Sequence, residues 1–191
     1  MVEDAWLQWT LALVFVATAL HSVGLAAASR TIGSGIGHGL HMVMSLDMVA
    51  MCWPWWTAIP ALPQGVFFGA AAVWYASRLG QRWRRGQATA RFVLHQASHA
   101  VMMLVMVWMV AAMGPAVASQ GEALASAGGH NHGTLGPVAG LSGSILVALL
   151  IAAGVIFALD AARRPAGRLH ATTNAAMCVG MVVMCWPMMT S

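Results

Sequence analysis

HMVMSLDMVAM at residues 41–51, HAVMMLVMVWM at 99–109 and NAAMCVGMVVM at 174–184 share one pattern. In the first, His41 is followed by Met44, Met48 and Met51. In the second, His99 is followed by Met102, Met106 and Met109. In the third, Asn174 is followed by Met177, Met181 and Met184. The steps are three, four and three residues each time. At about 100° per residue, these positions fall within an arc of about 80° on a helix. The position four places upstream lies in the same arc. It is His95 in the second copy, His170 in the third and Gly37, with His38 beside it, in the first. The pattern predicts three helices, each with a His/Met stripe along one side.

Each stripe lies in an apolar run long enough to cross a bilayer, which takes about 20 residues. Six such runs occur, at about 6–28, 37–58, 61–79, 91–113, 138–160 and 170–189. They consume nearly all of the 191 residues, of which 60% are hydrophobic and 7% charged. This is a membrane composition with no room for a separate soluble domain. The expected fold is all-α, one integral membrane domain over 1–191. Three helical hairpins repeat with pseudo-threefold symmetry, and the plain helices one, three and five alternate with the striped helices two, four and six. Met51-Cys52-Trp53-Pro54 recurs as Met184-Cys185-Trp186-Pro187, which extends the repeat. Proline at these places is expected to end or kink its helix.

The nine basic residues are all arginine. Arg30 lies between runs one and two. Arg78, Arg82, Arg84, Arg85 and Arg91 surround the turn between three and four, and Arg163, Arg164 and Arg168 lie between five and six. Under the positive-inside rule these connections face the cytoplasm. Both termini then lie outside a multi-pass protein of the plasma membrane. The pI near 9.8 therefore reports topology, and no nucleic-acid partner is expected. Met1-Val2-Glu3-Asp4 lacks the basic start of a cleaved signal, so the first run is expected to be a retained helix. The connection from Gly114 to Pro137 is rich in Gly, Ala and Ser and reads as a flexible outer loop. It contains His130 and His132, a weak two-ligand metal motif. Cys52, Cys178 and Cys185 fall inside spans and imply no disulfide framework.

Thioethers are soft ligands that favour Cu(I), and imidazole suits copper, zinc and iron. If the striped helices face one another, His41 and His99, with Asn174, form an inner polar layer. Three methionine layers follow: Met44/Met102/Met177, Met48/Met106/Met181 and Met51/Met109/Met184. His95 and His170 extend the ligand set, and Cys52 and Cys185 could add thiols at the outer end. The expectation is a protein that binds, stores or conducts copper. Its partners would be the lipid bilayer, the metal ion, and a copper chaperone or larger membrane complex. Two other readings stay open: a haem-b oxidoreductase subunit using His21, His95 or His99, and an accessory subunit with a Met-packed core and no ligand. No Walker loop, dinucleotide fingerprint, nucleophile elbow or HExxH motif is present, and no catalytic residue is assigned. Asp47, in mid-span and about 90° from the stripe centre, is a candidate proton relay or charge partner to an Arg or protonated His, or equally a protonated, hydrogen-bonded carboxyl.

The stretch from Gly37-His38-Gly39-Leu40-His41-Met42 through Met48, Met51, Trp53, Pro54 and Trp55 resembles the signature of an actinobacterial family of integral membrane proteins of unknown function. That resemblance implies a polytopic membrane protein and brings no activity with it. The Met-x3-Met pairs Met44/Met48, Met102/Met106 and Met177/Met181 are also similar to the pair that Ctr-type copper importers close into triads from three subunits. The likeness is architectural only, since this chain has six predicted helices and no Met-rich outer tail.

Overall fold

The structure is a computed structural model that describes residues 5–113, 137–164 and 167–190. Among the described residues six long helices occur: α1 (Ala5–Ala27), α2 (Ile32–Met51), α3 (Ala61–Arg84), α4 (Ala90–Met113), α5 (Pro137–Arg163) and α6 (Arg168–Thr190). A short 3-10 turn, Pro54–Ala58, joins α2 to α3. No strand occurs among the described residues. The all-α, six-helix class expected from the sequence is the class observed. The loop holding His130 and His132, and the residues Glu3, Asp4 and Glu122, lie outside the described residues.

Four of the six helices (α1, α4, α5 and α6) are long and apolar enough to cross a membrane. With α1 showing Leu13, Val16 and Leu20 on its exposed side, the chain is a helical, multi-pass membrane protein. Helices α2 and α3 fall short of that measure. The first carries Gly33, Gly35, Gly37, Gly39, two histidines and Asp47 within 20 residues. The second carries Arg78, Arg82 and Arg84 toward its C-terminal end.

Three boundaries differ from the sequence reading. The run at 37–58 is not one helix. Helix α2 starts earlier, where Thr31 Oγ1 accepts the Ser34 N–H at 3.3 Å. It stops at Met51, where Cys52 N and Trp53 N bond to carbonyls three residues back, Val49 and Ala50. Pro54 lacks an N–H and cannot resume the helical ladder. Pro187, by contrast, does not end its helix, since α6 runs to Thr190. A proline in the last turn forfeits only one internal bond. Helix α3 extends five residues past the expected 79, to Arg84, so Arg82 and Arg84 are helical. It ends in a Schellman motif. Gly86 sits at φ +65, Gln87 N bonds to Arg82 O, and Gly86 N bonds to Trp83 O, both at 3.0 Å.

The helices cluster into two compact units. The first comprises residues 1–58 and 154–184, thus α1, α2, the second part of α5 and most of α6. Here α1 and α2 pack along one another across a four-residue connection, as an antiparallel hairpin does. Gln8 Nε2 donates to the Cys52 carbonyl at 2.6 Å, and Trp9 meets Trp53 edge-on at 5.7 Å. Helix α5 approaches α6 where Gly154 faces Cys178 Cβ, 3.2 Å from where a Cβ on the glycine would sit. The second unit comprises 59–153 and 185–191, thus α3, α4 and the first part of α5. Helices α3 and α4 form its hairpin, and Gly143 of α5 lies against the Trp108 indole of α4.

Candidate functional site

In the first unit the α2 and α6 stripes are buried along their length. Met44, Met48, Met177 and Met181 are wholly enclosed, and His41, Asn174, Met51 and Met184 nearly so. The two stripes touch. Ser45, one place after Met44, sits with its hydroxyl 2.9 Å from the His41 carbonyl and 3.7 Å from Met177 Sδ. A hydroxyl has one proton, and the carbonyl is the stronger acceptor. The Ser45 hydroxyl thus stands between the carbonyl and the Met177 thioether, with the shorter contact to the carbonyl. The sequence reading missed Ser45 because serine at i+4 from a carbonyl is common in any helix.

At the other end of the same unit three imidazoles come together from three helices. The His170 ring lies 5.7 Å from that of His38 and 6.3 Å from that of His21. Asn174 Nδ2 lies 3.3 Å from His170 Nε2, one turn along α6. The amide donates in that contact, which makes Nε2 the acceptor of its ring. His21 Nε2 is buried with no hydrogen-bond partner among the described residues. His170 and Asn174 thus form a pair within the α6 stripe.

The second unit holds the α4 stripe. Met102, Met106 and Met109 are fully enclosed, and His99 is 3% exposed. His95 and His99 stand one turn apart with ring centroids at 4.3 Å, edge to face. Tyr75 of α3 lies beside His99 at 5.3 Å, tilted by 35°, and is itself buried. Tyr75 was not legible as a neighbour, since it lies on an unmarked helix and its register against α4 is a tertiary fact.

Asp47 has a specific partner. The Trp56 indole N–H, in the 3-10 turn, donates to its Oδ1 at 3.2 Å. Oδ2 is buried without a hydrogen-bond partner among the described residues. The observed partner is an indole hydrogen bond, not an Arg or protonated His, which accords with the reading of Asp47 as a hydrogen-bonded carboxyl. Asp160 pairs with Arg164 at 3.2 Å, at the end of α5. Cys52, Cys178 and Cys185 are free, buried thiols. The Cys52 thiol donates to the Met48 carbonyl at 3.4 Å.

Among the described residues no three His, Cys, Asp or Glu side chains gather closely enough to hold an ion by themselves. Any metal bound in these stripes would need thioether ligands as well.

Uncharacterized proteins of Mycobacterium tuberculosis (Rv0970) and Mycobacterium bovis (Mb0995) are each 36% identical to this chain over 116 residues. The match covers 60% of this chain and 53% of each relative. The chain thus spans about half the length of the curated relatives it matches. No solved structure matches it. The family described as "Domain of unknown function (DUF5134)" matches residues 33–184, which takes in all three stripes, the Tyr75, His95 and His99 rings, and His38 and His170 though not His21, and the chain belongs to that family.

Proposed function

We propose that this protein binds, stores or conducts copper, as Cu(I), through its His/Met stripes in the plasma membrane. The observation that carries the reading is how the striped helices sort their apolar residues. Met44, Met48, Met102, Met106, Met177 and Met181 are all 0% exposed. Leu46, Leu104 and Val179, on the same three helices, are 51%, 45% and 61% exposed. In a bilayer the hydrophobic effect does not sort methionine from leucine, because lipid tails are as apolar as either. Val105 and Val110 of α4 are enclosed as well, so what marks the stripes is that all three hold thioethers inward at one shared spacing, an arrangement a soft cation would use.

The ligand set drawn on is Met44, Met48, Met51, Met102, Met106, Met109, Met177, Met181 and Met184, with His41, His95, His99 and His170. Thioethers carry no proton to lose, so the methionines take up Cu(I) without competition from hydrogen ions. The histidines can supply one or two firmer ligands at one end. In this reading all six helices span the membrane, and the arginine-bearing turns face the cytoplasm. Alkaline phosphatase fused at the N-terminus should then be active, and the same enzyme inserted after Gln87 inactive. The reverse pattern would reject the orientation.

The central test is metal content. Protein purified anaerobically under reducing conditions should hold at least one copper per chain. Exchange of Met44, Met48, Met177 and Met181 for leucine should abolish it. Such swaps conserve volume and usually cost below about 1.5 kcal/mol each, so circular dichroism should show retained helix. Copper retained in the leucine variant, or none in the parent, would reject the proposal. A Soret band in the parent would point to haem b instead.

A further inference from the structure

The second unit carries a concentration of positive charge in a stretch of chain that has no acidic residue. Residues 59–113 hold Arg78, Arg82, Arg84, Arg85 and Arg91 and no Asp or Glu. Arg82, Arg84 and Arg85 are exposed at the end of α3 and form no ion pair with a carboxylate among the described residues. The turn between α5 and α6 is different, since Arg164 there is paired with Asp160.

Two of these arginines lie against aromatic rings. The Arg78 guanidinium carbon stands 5.0 Å from the Trp74 ring centroid, and that of Arg82 stands 4.6 Å from the Phe92 ring of α4. A ring face fixes a guanidinium without neutralising it. The local backbone offers little compensation either. The carbonyls of Gln81, Arg82 and Trp83 are taken by the N–H groups of Arg85, Gln87 and Gly86 in the Schellman turn. Trp83, between the arginines, is 67% exposed, as suits an indole at the level of lipid headgroups.

We propose that the α3–α4 turn is a binding site for the phosphate headgroups of anionic phospholipids, with Arg82, Arg84 and Arg85 as its principal donors. The planar guanidinium fork matches two phosphate oxygens at once. An anionic bilayer surface brings such phosphates to the depth at which this turn emerges. A tryptophan among the arginines favours a lipid surface over a dissolved anion, because the indole needs an apolar region beside the charge. The site is separate from the His/Met stripes and stands whether or not they bind copper.

The test uses the full chain in maltoside detergent, with bound lipid counted by native mass spectrometry. Dioctanoyl phosphatidylglycerol should bind, and dioctanoyl phosphatidylcholine should not. Inorganic phosphate and a short DNA oligonucleotide should fail to displace the phosphatidylglycerol. Each arginine charge removed should weaken binding about fivefold. The triple variant R82Q/R84Q/R85Q should therefore lose roughly a hundredfold. R82K/R84K/R85K, which keeps the charge, should lose only a few-fold, and R163Q should bind as the parent does. Equal binding of the two lipids, undiminished binding by the glutamine variant, or displacement by phosphate or DNA would each overturn the proposal. If the triple variant fails to fold, R84Q alone decides the matter: about a fivefold loss supports the site, and no change overturns it.

Discussion

Gly180 has no side chain because Phe15 fills the place of one. A Cβ built there would lie 2.5 Å from the Phe15 ring tip, and that ring is wholly enclosed. Overpacking of this kind typically costs about 1–3 kcal/mol. Gly180→Ala should therefore lower the thermal midpoint in detergent, whereas Gly39→Ala, with nothing within 4 Å of its Cβ position, should not. Trp56 supplies a second case at this scale. Its indole is the hydrogen-bond donor to Asp47. Trp56→Phe keeps most of the ring and removes that donor, leaving both carboxylate oxygens of Asp47 buried without it. A loss of about 1–3 kcal/mol is expected, read as a lower unfolding midpoint. An unchanged midpoint would show that the pair contributes nothing. Neither feature was readable in the sequence. A helical wheel places Asp47 beside the stripe, but its partner comes from beyond the end of that helix. The partner reaches it only because Cys52–Ala58 turns back toward α2.

The elements were the most legible part of the chain. A stripe with steps of three, four and three can only lie straight on a helix, and all three stripes do. What the period could not convey was where each helix begins and ends, since ends are settled by single hydrogen bonds. Thr31 starts α2 well before the apolar run begins, by accepting the Ser34 N–H. Thr31→Ala should cost about 1 kcal/mol, and should speed amide exchange at Gly33, Ser34 and Gly35 over that in the parent. Arg82 and Arg84 read as turn residues because charge usually marks a boundary. They are helical because the stop signal is Gly86, the one residue there with φ at +65. The candidate ligands were legible as a pattern, and their enclosure was an inference from that pattern. The contacts with Ser45, Tyr75, His21 and His38 depend on helix packing that periodicity does not describe.

At the scale of the whole molecule, composition alone called for a bilayer. Four helices meet the length and apolarity needed to cross one, and the exposed side of α1 is hydrocarbon. The protein should stay in the pellet when membranes are washed with alkaline carbonate and should enter solution only with detergent. Release by carbonate would contradict a spanning arrangement. The notch at Gly143 sets a limit on how such a protein can move. The Trp108 indole occupies the space a side chain would take at that position. A slide of α5 along α4 would carry this gap out from under the ring that fills it. These two helices are keyed against piston-like travel along one another, so motion within this unit has to hinge elsewhere.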